Sequence, residues 1–412
     1  MLGHTSPAVA PPAVPGSEPC KPPSREAFHI AIICALSIEA NAVAIVLDLE
    51  YEASGSIYKK PLFDANTYTT GRIGRHNVVV VHMPGPGLAE GAAVATHLES
   101  TFTNISLCLV AGVCGGVPAP LDKANILLGD VIIATTVVQT DMGRQHPEQF
   151  SRKTRAEDSL GRANREIRAF LAKLQSEHVH KRLQLKTEES MAELASNTQF
   201  PKARYPGRDK HMLYPGDYRH KHRDRPCEFC DRCDTQHDPA CDVALQSSCE
   251  ELGCKAANQG TWDCMDQSLR APGDEEDMIT ETVRQELQRI NIHFGRIASS
   301  NQVMRSGQHR DEIANREEVI GFEMESAGTW EAIPTIVVKA VADYADSHKS
   351  KDWQPYSATV AAVCAKVVLE EWRDTDRATD ERISPGSVGR VDQEVGRQTV
   401  NGNVFYGPIY YG

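Results

Sequence analysis

The chain has 412 residues, enough for two to three domains at about 150 residues each and enough to bury a core without covalent staples. A hydrophobic content of 41% excludes a uniformly disordered polypeptide, and 44 Lys+Arg against 56 Asp+Glu, a net charge of −12, argues against a dedicated nucleic-acid binder. No run approaches the roughly 18 apolar residues of a membrane span, and Met1 to Cys20 lacks the basic and apolar regions of a secretory signal, so a soluble cytoplasmic enzyme, with neither nucleic acid nor membrane as partner, is the expectation.

Residues 1–25, rich in Pro, Ala and Ser, read as a disordered tail. Phe28 to Leu36 is a continuous apolar run that suits a strand buried on both faces, followed by Ser37 as a candidate N-cap and helical spacing from Ile38 to Leu49. Asn77 to Met83 predicts a second buried strand, closed by Pro84-Gly85-Pro86-Gly87 and followed by a helix through Ser100. Ser106 to Val113 predicts a third strand running into Gly115-Gly116, and Asp130 to Val138 a fourth. Charged helical spacing covers about 151–196, whereas about 201–273 is rich in Cys, His, Arg and Tyr-Pro-Gly without periodicity, longer than an ordinary loop and therefore an insertion. Strands resume at Ile290 to Ala298 and Thr335 to Asp343, a helix-like stretch runs from Glu325 to Ala332, and Tyr356 to Trp372 predicts the last helix. Alternation of strands with helices implies an α/β layered sheet. Beyond about residue 373 a flexible polar tail is expected, ending in the aromatic, Gly-rich, β-prone Gly402 to Gly412, a candidate assembly motif for a signalling partner.

Two glycine-rich turns follow strands. In the first, Glu90 occupies the third glycine position of G-x-G-x-x-G, so a plain βα turn is preferred, and no P-loop pattern occurs anywhere in the chain. The second, Ala111 to Gly116, lets backbone approach a ligand closely. Three carboxylates, Glu39, Glu325 and Asp343, follow apolar strand or turn segments, where ligands bind in open α/β sheets. Each alone has a structural explanation: Glu39 at a helix dipole, Glu325 on a surface helix, and nearby Asp346 as an N-cap. Their co-occurrence with the glycine turn points to a site.

Together the stretches IICALSIEANAV, AGVCGGVPAP with LLGDVIIA, IHFGRIASSNQVM, GFEMESAG and KAVADYAD resemble the nucleoside phosphorylase/nucleosidase superfamily, over about Phe28 to Trp372 minus the insertion. Within it the chain is most similar to fungal members found in large signalling proteins, whose relatives include immune effectors that cleave ATP. The resemblance implies a three-layer α/β/α sandwich with a central mixed sheet, one catalytic domain over 26–372, no cofactor, and a homo-oligomer in which a neighbour completes the pocket. It implies Asp343 as proton donor to the purine N7 and Glu39 as the residue activating water. Glu325, with Met324 and Glu323 beside it, would grip the ribose. Val303 and Met304 would hold the base, and Gly115 and Gly116 would line the ribose pocket. Cleavage of an N-glycosidic bond builds oxocarbenium character that carboxylates stabilise, while the purine leaves only if protonated.

Phosphorylases of this family hold phosphate with an arginine and a hydroxyl residue where this chain has Val110 and Val113, and Cys34-Ala35-Leu36 replaces their phosphate loop. Apolar side chains cannot bind a dianion, so hydrolysis is preferred over phosphorolysis. Val113 and Ala342 also replace serines of the hydrolases, which leaves a non-catalytic nucleoside sensor as the reading from another class. Seven of the 12 cysteines, Cys227, Cys230, Cys233, Cys241, Cys249, Cys254 and Cys264, crowd the insertion with His237, a pattern open to zinc or to a flexible thiol-rich loop and unnecessary for the chemistry. The basic stretch from Ala203 to Arg225 could meet a phosphorylated substrate or be a solvated loop.

Overall fold

The computed structural model describes residues 21–51, 58–121, 123–147, 150–207, 210–235, 238–255, 289–373, 398–400 and 403–405. The expected N-terminal tail lies outside them over residues 1–20, and the last residues of the candidate assembly motif lie outside them over 406–412.

The apolar run after Ala27 forms β1 (Ile30–Cys34), buried throughout. Its alternation divides two cores: Ile30, Ile32 and Cys34 join one hydrophobic cluster, and Ala31 and Ile33 another. Helix α1 (Ser37–Val46) begins at Ser37 with Leu36 as its cap residue, so Ser37 is not the N-cap that the sequence suggested. A short β2 (Leu49–Glu50) pairs with β3 (Thr67–Ile73), which turns through Gly74-Arg75 into β4 (His76–His82). Gly74 has φ of 56°, the left-handed value that a two-residue hairpin turn requires. β3 was not anticipated, because Thr67-Tyr-Thr-Thr-Gly is too polar to read as a buried strand. Then follow α2 (Leu88–Thr101), β5 (Leu107–Gly116), β6 (Val131–Gln139) and the small hairpin β7 (Gly143–Gln145) and β8 (Phe150–Arg152). The charged stretch resolves into α3 (Arg165–Leu174) and α4 (Glu177–Ser196). Among its described residues the insertion contributes three α-helices of at most five residues, α5 (Glu228–Asp231), α6 (Asp242–Gln246) and α7 (Cys249–Leu252). The core resumes with β9 (Ile292–Ser299), α8 (Gly307–Glu317), β10 (Val319–Glu323), α9 (Ser326–Thr329), β11 (Thr335–Asp343) and α10 (Gln354–Glu371).

Among the described residues the main sheet has nine strands in the order β10-β9-β6-β11-β5-β1-β4-β3-β2, with parallel and antiparallel neighbours, so it is mixed as expected. Helices α1, α4 and α10 pack on one face and α2 supplies the cluster on the other, which gives the α/β/α layers. The tenth strand adds a feature the sequence did not reveal. β10 runs parallel to β9 and also antiparallel to the end of β5, through Gly321 opposite Gly116 and Phe322 opposite Gly115, and so curls that side of the sheet into a closed ring. This ring brings β5, β10 and β11 to one place.

A separate unit, residues 374–412, is described only as a hairpin of β12 (Gln398–Val400) and β13 (Asn403–Phe405), with Val400 opposite Asn403. No helix among the described residues is long and apolar enough to cross a membrane.

Candidate active site

Glu39 sits in the first turn of α1, where the helix bends it back toward its own start and across to β5. Its Oε2 accepts from the backbone N–H of Ala35 and Leu36, both at 2.9 Å, and its Oε1 from the N–H of Val113 at 2.8 Å. The side chain is only 2% exposed. Burial pushes its carboxyl up from the ordinary value, aided by the nearby charge of Glu325 and opposed by Lys339 and the backbone donors. The glycine of β5 beside it is dictated by this approach: a Cβ on Gly112 would fall 2.0 Å from Glu39 Oε1 and 2.3 Å from its Cδ. A Gly112→Ala variant is expected to lose about 1–3 kcal/mol of stability through overpacking, read as a lower urea midpoint at unchanged slope.

The residue that organises the site, Lys339, was missed. It lies in the middle of β11, 1% exposed, with Nζ 3.0 Å from Glu325 Oε2 and 4.0 Å from Glu39 Oε1. A lysine inside the apolar strand Thr335-Ile-Val-Val-Lys-Ala-Val-Ala was itself a signal, since buried lysines are rare unless paired. The carboxylates around it push its ammonium further up against the opposing effect of burial, and keep it charged. Glu325 is buried, not on a surface helix, because α9 packs against α2 with Gly91 and Gly328 at the contact.

Glu323 ends β10 and turns inward. Its carboxylate accepts from the N–H of Glu325 at 3.0 Å, the N–H of Ser326 at 3.0 Å and the hydroxyl of Ser326 at 2.7 Å, so here it fastens the start of α9. Burial, with the charge of Glu325, pushes it up from 4.5 to about 7. A raised folded value means that the folded state holds this proton more tightly. The associated stability is complete below the ordinary value of 4.5 and is lost as pH rises through about 7. Wild-type thermal stability is therefore expected to fall more steeply across that window than that of Glu323→Gln, as melting curves at stepped pH would show.

Asp343 terminates β11 opposite Gly115 of β5. Its Oδ1 accepts from the N–H of Ala345 at 2.8 Å and faces Lys349 Nζ at 3.0 Å. A Cβ on Gly115 would stand 2.9 Å from this same oxygen and 2.8 Å from Ala345 Cβ, so the bare backbone admits the turn in which Ala345 takes φ of 53°. Asp346 does not cap a helix. Its Oδ1 accepts from the N–H of His348 at 2.8 Å, and α10 starts after Trp353.

The structure thus gathers Glu39, Glu325, Glu323, Gly115, Gly116 and Asp343 at one end of β5, β10 and β11. Met324 is half-buried beside them, Met304 is half-buried in the loop after β9, and Val303 in that loop is 57% exposed. That loop is tied in through Asn301, whose Oδ1 accepts from the N–H of Leu88 at 3.0 Å and whose N–H reaches Asp141 Oδ2 at 2.9 Å. Val110 is buried, and Val113 meets the site through its backbone.

The insertion cysteines separate into groups that spacing did not reveal. Cys249 and Cys254 meet His220 and His348, and Cys227, Cys230 and Cys241 meet His222. Cys233 is in neither group; Arg219 Nε and Nη2 donate to its sulfur at 3.3 and 3.2 Å. His237 and Cys264 lie outside the described residues. In the basic stretch Lys221 reaches Asp234 at 3.0 Å and the Arg223 guanidinium lies 4.1 Å over the Tyr218 ring, while Arg204, Lys210, Arg223 and Arg225 are exposed.

Comparison with known proteins gives three results. Residues 29–191 match the family model of the phosphorylase superfamily, a span that holds Glu39 and the Gly112–Gly116 turn and ends before the insertion. A nucleotide-binding leucine-rich repeat (NLR)-like protein of Hyaloscypha variabilis is 26% identical over 350 residues, 84% of this chain and 29% of its own length, so the chain spans less than a third of that relative. Among solved structures, a futalosine hydrolase of Helicobacter pylori aligns at TM-score 0.45 and 14% identity over 85% of this chain and 100% of its own. A 5'-methylthioadenosine/S-adenosylhomocysteine nucleosidase of Streptococcus pneumoniae aligns at 0.44 and 16% over 84% and 100%. Residues 29–191, with Glu39 and the Gly112–Gly116 turn among them, are thus similar to the phosphorylase superfamily.

Proposed function

We propose that the chain is a purine nucleosidase, hydrolysing the N-glycosidic bond of a purine nucleoside or nucleotide, ATP included, to free base and ribosyl product. The observation that carries this reading is the buried Lys339, which draws Glu325 and Glu39 together at the sheet end where Asp343 closes β11. Glu325 would bind the ribose hydroxyls, held by Lys339. Glu39, with its carboxyl pushed up by burial, would take a proton from water, a transfer favoured when the base's pKa approaches the operating pH. Asp343 would donate to the departing base once Lys349 yields its place. The buried Cys34, Ala35 and Val110 offer a phosphate nothing to bind, which supports water as nucleophile over phosphorolysis.

One observation favours a non-catalytic nucleoside sensor instead: Lys349 Nζ stands 3.0 Å from Asp343 Oδ1, an ion pair on the residue that would donate the proton. We place the activity in a cytoplasmic homo-oligomer, with a signalling partner engaged through residues 402–412. Incubating the purified chain with adenosine, ATP and methylthioadenosine and separating the products by chromatography tests the reading. Free base from at least one of them is expected, and its absence from all three with a folded protein supports the sensor.

A further inference from the structure

Among its described residues the insertion has only a small hydrophobic core of its own, Cys230, Ala244 and Leu252. A segment of this kind needs another source of order. Two histidines missed in the sequence, His220 within the basic stretch and His348 just past Asp343, meet Cys249 and Cys254 there.

The four facing atoms are His220 Nδ1, His348 Nδ1, Cys249 Sγ and Cys254 Sγ, all within 4.8 Å of one another. Zinc bonds of about 2.0–2.1 Å to nitrogen and about 2.3 Å to sulfur make tetrahedral edges of about 3.3 Å for N···N and about 3.6 Å for N···S. Here the two Nδ1 atoms are 3.2 Å apart, Cys249 Sγ lies 3.4 Å from His348 Nδ1, and Cys254 Sγ lies 3.6 Å from His220 Nδ1. Cys249 Sγ to His220 Nδ1 is slightly longer, 3.9 Å.

The outer sides of both rings agree. His220 Nε2 faces the carbonyl of Ser247 at 2.9 Å, and His348 Nε2 faces that of Tyr218 at 3.0 Å. A carbonyl only accepts, so each Nε2 carries a proton, and a ring with no second proton turns its Nδ1 lone pair inward, the arrangement in which backbone carbonyls orient metal-binding histidines. The two Nδ1 atoms, 3.2 Å apart, face each other at the spacing that two nitrogen ligands of one cation take. The Tyr214 ring, stacked 3.9 Å from that of His348, fixes its plane.

We propose that His220, Cys249, Cys254 and His348 bind one Zn²⁺ ion. Two thiolates and two imidazoles in tetrahedral array suit zinc, and four protein ligands make the site closed and structural, not catalytic. The ion would join the insertion to the loop that follows β11. His348 adjoins Lys349, the partner of Asp343, so the site holds that loop in register with the carboxylate at the strand end. The neighbouring group, His222, Cys227, Cys230 and Cys241, is not included. Arg225 donates to His222 Nε2 at 2.6 Å, which leaves the ring proton on Nδ1, facing the thiols.

The test is zinc content of the purified full chain by mass spectrometry, together with X-ray absorption at the zinc edge. Wild type is expected to hold at least one equivalent, and His348→Ala and the Cys249→Ser/Cys254→Ser double variant one equivalent fewer than wild type. Wild-type absorption is expected to show two nitrogen and two sulfur neighbours, or an average between two and three sulfurs if the second group also loads. That spectrum decides the matter even where a variant fails to fold. Wild type without zinc, a first shell of three sulfurs and one nitrogen, or variants with undiminished zinc would overturn the assignment.

Discussion

Replacing Asp343 by Asn is expected to suppress base release by about 10²–10⁴-fold in kcat while leaving the protein folded. Asparagine has the same shape and its amide oxygen can still accept from the N–H of Ala345, so the turn that follows β11 is preserved. What is lost is the acidic proton for the purine. Protonation of the leaving base is a transition-state contribution, so kcat should fall with little change in KM. Circular dichroism and the thermal midpoint serve as controls. Activity retained by a folded Asp343→Asn protein would remove this residue as the general acid.

Lys339→Met is expected to have the largest effect on stability, about 3–5 kcal/mol, because it leaves buried carboxylates without their counter-charge. Methionine fills much of the same volume, so the loss reports charge and not a cavity. The double variant Lys339→Met/Glu325→Gln should recover part of the loss, since one of the stranded charges goes with it and the two side chains are in direct contact. Urea unfolding of the single and double variants measures both quantities. A single-variant cost below about 1 kcal/mol would mean that Lys339 is not what holds Glu39 and Glu325 together.

Much of the layered fold was legible in the sequence because its central strands are covered on both faces. Ile30 to Cys34 and Thr335 to Asp343 read as continuous apolar runs for that reason. The strands that were missed lack this cover or length. β3 is polar and near the sheet edge, and β10 is five residues whose pairing with both β9 and β5 depends on distant chain. Glu39, Glu325 and Asp343 could be nominated from their places after strands, and the structure draws them to one end of the sheet. What could not be read was their mutual organisation. Gly112 looked like a turn residue, but the clash its Cβ would make with Glu39 exists only in three dimensions. The histidines show the same limit: His348 stands 94 residues beyond Cys254, and nothing in local spacing joins them.

The roles assigned to Glu39 and Asp343 rest on water being the nucleophile. The most direct test is to incubate the full chain with a purine substrate in isotopically labelled water, with and without phosphate, and to identify the sugar product. Free base with a sugar carrying the label at its anomeric carbon, at a rate indifferent to phosphate, is the result expected. Ribose 1-phosphate formed only when phosphate is present would contradict it.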